Sequence, residues 1–243
     1  MRLLFIRHGD PDYDADSLTA TGRREAELLA ERIAPMDIAE YYVSTMGRAL
    51  ETARPTLERA GRTAAVCDWL REFSIGVRRP DCGGELSAVP WDWLPQDWLK
   101  DPLFLDSERW HEHPVFAEAE LKSAYDAVID AFEQVLAAHG YVRDGLCYRV
   151  ERAGSETLAF FCHFGVSCVL MSRLMNVSPM VLWHGLAMAP SSVTTVYSEE
   201  RRPGLASFRA AAVGDISHLY AHGQEPSFSA RFCEVYGNGD RVD

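Results

Sequence analysis

The sequence predicts an α/β fold: a three-layer α/β/α sandwich with a mainly parallel central sheet and an inserted Trp-rich lid. Three observations predict it. Apolar runs of strand length alternate with stretches whose apolar residues recur at helical spacing, the pattern of parallel βαβ units. Two of those runs, Leu3 to Ile6 and Thr157 to Cys162, stop abruptly at a histidine that a glycine soon follows. Between about residues 74 and 119 the alternation dissolves into a stretch holding five prolines and four of the six tryptophans. One domain over 1–243, with an insertion or lid at about 74–119, accounts for all three.

The elements follow in order. Leu3-Leu4-Phe5-Ile6 reads as a buried strand; Leu also suits a buried helix, and the stop at Arg7-His8-Gly9, followed by Pro11, favours the strand. A polar loop runs from Asp10 to Ser17. Arg23 to Ile33 reads as a helix with Ala26, Leu29, Ala30 and Ile33 on one stripe, capped by Thr19 or Thr21 and closed by Pro35. Ile38 to Val43 is a second strand ending at Ser44. Gly47 to Ala60 is a helix that Gly61 terminates, with Pro55 expected to kink or break it. Thr63 to Cys67 is a short third strand, followed by Asp68 to Phe73.

The insertion is too long for a plain connection and too aromatic for a disordered linker. Its tryptophans are expected chiefly to pack a mini-core; the alternative is that Trp91, Trp93 and Trp98 line or gate a substrate entrance. Leu121 to His139 is helical, with Ala124, Val128, Ala131, Phe132, Val135 and Leu136 on one stripe and Gly140 at its end. Leu146 to Val150 reads as a hairpin strand and Thr157 to Cys162 as a fourth core strand. Val166 to Met175 and Met180 to Leu186 read as helices. Val193 to Tyr197 and Ala206 to Ala212 read as late antiparallel strands, with mostly loop expected from Gly214 onward.

With 243 residues, 47% of them hydrophobic, the chain can bury a sizeable core. A net charge of −12 argues against nucleic acid and anionic membranes as main partners. An anionic small substrate in a local basic pocket stays open. No run is long enough to span a membrane and no signal-peptide layout opens the sequence, so a cytoplasmic location is expected. The cysteines at 67, 82, 147, 162, 168 and 233 are scattered with no CxxC, and neither disulfides nor structural zinc are expected. Oligomeric state is left open.

Strand ends supply the candidate chemistry. Arg7 and His8 close the first strand, where open α/β sheets place their sites. His163 closes the fourth and opens a helix whose first N–H groups, such as that of Phe164, favour an anion. Arg48 lies at the second strand-to-helix junction, and Arg7 and Arg48 offer fixed positive forks suited to phosphate. Glu72 follows the third strand as the carboxylate on hand for proton transfer. Taken singly, Arg48 reads as a helix-surface arginine, Glu72 as a solvated acid and His163 as a core histidine. The case rests on their common position just after core strands. Zinc between His8 and His163 is disfavoured, since no third ligand sits at a recognisable spacing and two arginines would repel a cation.

Arg7-His8-Gly9, with Ser44-Thr45-Met46-Gly47-Arg48-Ala49-Leu50-Glu51-Thr52-Ala53, resembles the histidine phosphatase superfamily, the phosphoglycerate-mutase-like clan. Its Arg-His-Gly strand end and Ser-x-x-x-Arg-Ala-x-x-Thr-Ala junction are both present. Leu18-Thr19-Ala20-Thr21-Gly22 with Glu25-Ala26 is similar to its Leu-Thr-x-x-Gly-x-x-Gln-Ala segment, with Glu25 in place of Gln. Leu70-Arg71-Glu72 resembles the segment that supplies its acid, and His163 its second histidine. The resemblance covers roughly residues 2–73 and 157–212. The sequence departs from it at Phe164, where Gly is usual, at Asp14, where many members carry a phosphate-touching Asn, and in lacking Gly-x-Trp-Glu-Gly after the acid.

The resemblance implies phosphomonoester hydrolysis on a small-molecule phosphate ester, with no metal and no cofactor. His8 would become a phosphohistidine; Arg7, Arg48 and His163, with Phe164 at the helix start, would hold the phosphoryl oxygens; Glu72 would serve as the acid. A phosphoglycerate-type mutase and a non-catalytic module that binds a phosphorylated ligand are the alternatives.

Overall fold

The computed structural model describes residues 1–80, 83–227 and 229. Among them, eight strands form one sheet: β1 (Arg2–Arg7), β2 (Glu40–Ser44), β3 (Ala65–Cys67), β4 (Tyr141–Asp144), β5 (Cys147–Val150), β6 (Thr157–Cys162), β7 (Val193–Arg202) and β8 (Leu205–Asp215). Their order is β3-β2-β6-β1-β7-β8-β5-β4. The first four in that order pair in parallel; β7, β8, β5 and β4 extend the sheet with antiparallel neighbours. The parallel core is the part that positions the site. Its register pairs Arg7 with Cys162, so His8 and His163 step off neighbouring strand ends side by side.

Strand β1 is buried on both faces, which explains its unbroken apolar run. Leu4 and Ile6 pack with Leu29 and Ile33 of α1 (Ala20–Ile33) and with Ala49 and Ala53 of α2 (Gly47–Ala60). Leu3 and Phe5 point to the opposite face. They join Phe132 and Leu136 of α3 (Leu121–Ala138) and Val166 and Leu170 of α4 (Phe164–Met175). A period of two in the strand thus feeds two helical layers, and a short helix α5 (Pro179–Gly185) follows α4.

Several local expectations change. Thr19, not Thr21, caps α1, its side chain accepting from Gly22 N at 3.1 Å. Pro55 neither ends nor splits α2, which runs unbroken to Gly61; burial of Arg48, Ala49, Thr52, Ala53, Pro55 and Thr56 along its inner face outweighs the one lost backbone bond. The chain beyond Gly214 forms one more helical turn at Ser217–Tyr220 before the described residues end. Cys67, Cys147, Cys162 and Cys168 are free thiols, while Cys82 and Cys233 lie outside the described residues. Among the described residues no helix is long and apolar enough to cross a membrane.

The Trp-rich stretch follows its packing prediction. A two-stranded ribbon (Val77–Arg78 with Leu86–Ser87) and short helical turns surround Trp93, Phe104, Trp110 and Phe116, whose rings meet edge to face at 5.5–6.5 Å. Trp110 also meets Trp183 of α5 at 5.8 Å, so this cluster is continuous with the main core. His184 fastens it further: its Nε2 accepts from Trp93 N at 3.1 Å and its ring stacks on Trp98 at 4.8 Å. Trp110, 1% exposed, is its hub, and Trp110→Ala is expected to cost about 3–5 kcal/mol, read from the denaturant midpoint at unchanged slope.

Candidate active site

His8 is 2% exposed and held from several sides. Its Nδ1 lies 2.7 Å from the Gly9 carbonyl oxygen, an acceptor, so Nδ1 carries the proton and Nε2 keeps its lone pair. Its backbone N–H donates to Cys162 O at 3.0 Å, and its carbonyl accepts from Ser191 N at 2.9 Å. Burial, then the charges of Arg7 and Arg48, pushes the imidazole well below its usual range. His8 is therefore neutral near pH 7, as a nitrogen nucleophile must be.

Two arginines, both almost fully buried, stand by it. Arg7 donates through Nη1 to Met188 O and through its backbone N to Ser192 O at 3.0 Å. Arg48 donates through Nη1 to Asp16 Oδ1 at 2.6 Å, and its Nη2 lies 3.4 Å from Met46 Sδ. Nε of each is buried without a partner. His163 is fully buried, its ring 5.1 Å from that of His8 and its Nε2 2.9 Å from Ser44 Oγ, while its Nδ1 is buried and unpartnered. Burial, with His8 and the arginines, lowers its pKa well below the usual imidazole range. Buried nitrogens without partners are costly, which makes these three candidates for contact with an oxyanion.

Glu72 is half-buried beside α4. Its Oε1 accepts from Phe73 N at 2.9 Å and Val166 N at 3.2 Å, which fixes the carboxyl. Burial raises its pKa, against the opposing pull of those N–H groups and of Arg7 and Arg48. A carboxyl whose pKa burial raises, beside an arginine pair, is suited to hand a proton to a leaving oxygen. Phe164 opens α4, and its buried ring meets Trp91 at 6.1 Å. The glycine displaced by one position also gains a reason. A Cβ on Gly165 would come within 2.2 Å of the Trp91 ring and 2.7 Å of Glu72 Oε1, so glycine is what lets Trp91 and the acid pack against the start of α4. Of the three tryptophans considered for an entrance, Trp91 reaches the neighbourhood of Glu72; Trp93 packs on Phe104 and Trp98 on His184.

The structure thus brings Arg7, His8, Arg48, Glu72, His163 and Phe164 to one end of the parallel core. It also explains residues quoted for their spacing alone. Ser44 bonds His163, and Thr52 accepts from Gly9 N at 2.9 Å while donating to Arg48 O at 2.7 Å, so one hydroxyl ties the His8 loop to α2. Glu25, fully buried, accepts from Asp10 N at 2.7 Å and Ser227 N at 3.2 Å, and burial raises its pKa. The acid facing Arg48 is Asp16; Asp14 is exposed on the same loop. Among the described residues no cluster of three or more His, Cys, Asp or Glu is set to hold a metal.

Met188 and Ser191 escaped the sequence, because they act through backbone groups some 180 positions from the residues they hold. Ser191 adopts φ +60°, and its hydroxyl meets Nε2 of buried His218 at 3.1 Å. Burial, then Arg32, lowers the His218 pKa to about 4, with Asp215 opposing. The unfolded chain, with an ordinary imidazole, binds the extra proton between about pH 6.5 and 4, so His218 removes stability as pH falls through that window and none above it. The loss amounts to about 3 kcal/mol below pH 4. His218→Gln is expected to flatten that part of the stability-pH curve, measured by urea unfolding from pH 7 to 4.

Comparison with known proteins agrees with this geometry. Residues 3–101 match the model of the histidine phosphatase superfamily (branch 1). A probable phosphatase of Schizosaccharomyces pombe is 39% identical over 86 residues, covering 31% of this chain and 41% of that protein. The chain therefore spans less than half the length of that relative. The probable phosphoglycerate mutase GpmB of Serratia proteamaculans is 25% identical over 231 residues, covering 90% of this chain and 95% of its own. Among solved structures, a phosphoserine phosphatase of Entamoeba histolytica superposes with TM-score 0.59 at 16% identity, over 90% of this chain and 98% of that one. Mycobacterial glucosyl-3-phosphoglycerate phosphatase gives 0.58 at 17%, over 88% and 98%. These two likenesses are of fold. The chain thus resembles the histidine phosphatase superfamily over residues 3–101 and shares the fold of those two solved structures over most of its length.

Proposed function

We propose that the protein hydrolyses small-molecule phosphomonoesters through a phosphohistidine, without a metal. The observation that carries this reading is a buried, neutral His8 with the His163 ring 5.1 Å away and within the field of Arg7 and Arg48, where Arg7 Nε, Arg48 Nε and His163 Nδ1 are buried without partners. A phosphoryl group would meet all three with its non-bridging oxygens, where charge must be held in the transition state. His8 Nε2 forms a bond to phosphorus as the ester P–O bond breaks, and Glu72 gives its proton to the departing alkoxide. Glu72, now a carboxylate, takes a proton from water; the water oxygen bonds phosphorus, the P–N bond breaks, and phosphate leaves.

The test is phosphate release from a panel of phosphomonoesters with EDTA present. Turnover that survives the chelator and disappears in His8→Ala supports the reading, and turnover that requires added metal overturns it. A mutase is the second reading, favoured by the near full-length alignment to the probable phosphoglycerate mutase. It predicts interconversion of 2- and 3-phosphoglycerate faster than phosphate release from either.

A further inference from the structure

The loop between Gly9 and α1 carries four aspartates, and one of them is built into the site. Asp16 adopts φ +46°, a left-handed conformation uncommon for a residue with a side chain. Its Oδ2 accepts from Gly47 N at 2.8 Å, at the start of α2, and its Oδ1 from Arg48 Nη1 at 2.6 Å. The backbone closes equally tightly: a Cβ on Gly47 would stand 2.1 Å from the Asp16 carbonyl oxygen, so glycine is required there. The Asp16 side chain is 44% exposed and that of Arg48 7%, which places the carboxylate between water and the guanidinium. Tyr13 of the same loop, 60% exposed, lies over Arg48 at 5.4 Å.

Asp16 therefore occupies two positive features that a second anionic group on a substrate would otherwise use: one arm of the Arg48 fork and the first N–H of a helix. Of the Arg48 nitrogens, Nη1 is taken by Asp16, Nη2 lies against Met46 Sδ, and Nε is buried without a partner. A carboxylate elsewhere on the ester would meet a carboxylate here, and like charges at such a rim disfavour binding. We propose that Asp16 sets the substrate class: phosphomonoesters whose alcohol carries no second anionic group, and so not phosphoglycerates. The proposal rests on the phosphomonoesterase reading above.

Glycerol 3-phosphate and 3-phosphoglycerate form the matched probe, since they differ in a hydroxymethyl against a carboxylate. The wild type is expected to favour the glycerol ester in kcat/KM by at least about tenfold. Asp16→Asn, which keeps an acceptor and removes the charge, should narrow that ratio about tenfold, mainly through a lower KM for 3-phosphoglycerate. Asp16→Gly, which takes the left-handed backbone without strain, should narrow it too. Asp14→Asn should leave the ratio unchanged. Equal use of the two esters by the wild type overturns the proposal, as does a parallel loss on both esters in Asp16→Asn and Asp16→Gly, the mark of a merely structural role. Absence of turnover on either ester counts against the phosphomonoesterase reading alone. The Asp16 assignment is then decided by calorimetric binding of the same two esters to wild type and Asp16→Asn, where the same narrowing is expected and an unchanged ratio of affinities overturns it.

Discussion

His8→Ala is expected to abolish phosphate release, with a loss on the order of 10⁴-fold or more in kcat. The size follows from the arrangement around the ring. Its Nδ1 is pinned to Gly9 O at 2.7 Å, and its neighbour at 5.1 Å, His163, has its Nε2 on Ser44 at 2.9 Å. Nothing else within the described site stands ready as a nitrogen nucleophile. The companion observation is a labelled protein: the wild type, quenched in alkali during turnover of a ³²P ester, retains an acid-labile phosphoryl label that His8→Ala lacks. The pH dependence has a definite sign. Burial and two arginines lower the His8 pKa, so the nucleophile stays unprotonated as pH falls below the ordinary imidazole range near 6.5, and the acid limb of kcat/KM lies below that value. An acid limb at or above 6.5 with an ester that does not itself titrate there contradicts the electrostatic account of the site.

Glu72→Gln is the second large effect, and it depends on the leaving group. With an alkyl ester, the alkoxide needs a proton as it departs, and the loss is expected at roughly 10²–10⁴-fold. With p-nitrophenyl phosphate the leaving group needs little help. The first step then survives while attack of water on the phosphohistidine slows, giving a burst of p-nitrophenol equal to the enzyme present, followed by a slow steady state. Glutamine keeps the acceptor that holds Phe73 N and Val166 N, so the fold around Trp91 and Gly165 is preserved. A uniform loss across alkyl and aryl esters, with no burst, would assign Glu72 to positioning and leave the proton donor elsewhere. The wild-type alkaline limb follows from the raised Glu72 pKa: the proton it must donate is held above the ordinary carboxyl range and is lost as pH rises further.

The sequence by itself determined the parallel core and which candidate groups lie at its end. Apolar runs that stop at Arg7-His8 and at Cys162-His163 are legible because a strand buried on both faces must be apolar along its length and can turn polar only where it leaves the sheet. Residue type and order were enough to bring Arg7, His8, Arg48, Glu72 and His163 into one list, since each follows a strand whose direction the βαβ pattern dictates. The tertiary structure alone decided what holds them. Pro55 looks like a breaker in a window of local sequence, and it sits inside α2 because burial of that helix face outweighs one backbone bond. Met188 and Ser191 grip Arg7 and His8 through a carbonyl and an N–H, groups every residue has, across 181 and 183 positions, so no side-chain pattern could announce them. Spacing pointed to Asp14, whereas the left-handed turn at Asp16, made possible by the glycine opposite it, delivers a different carboxylate to Arg48. Local propensity and order thus specify which groups are present, and long-range packing of backbone against backbone specifies which of them meet.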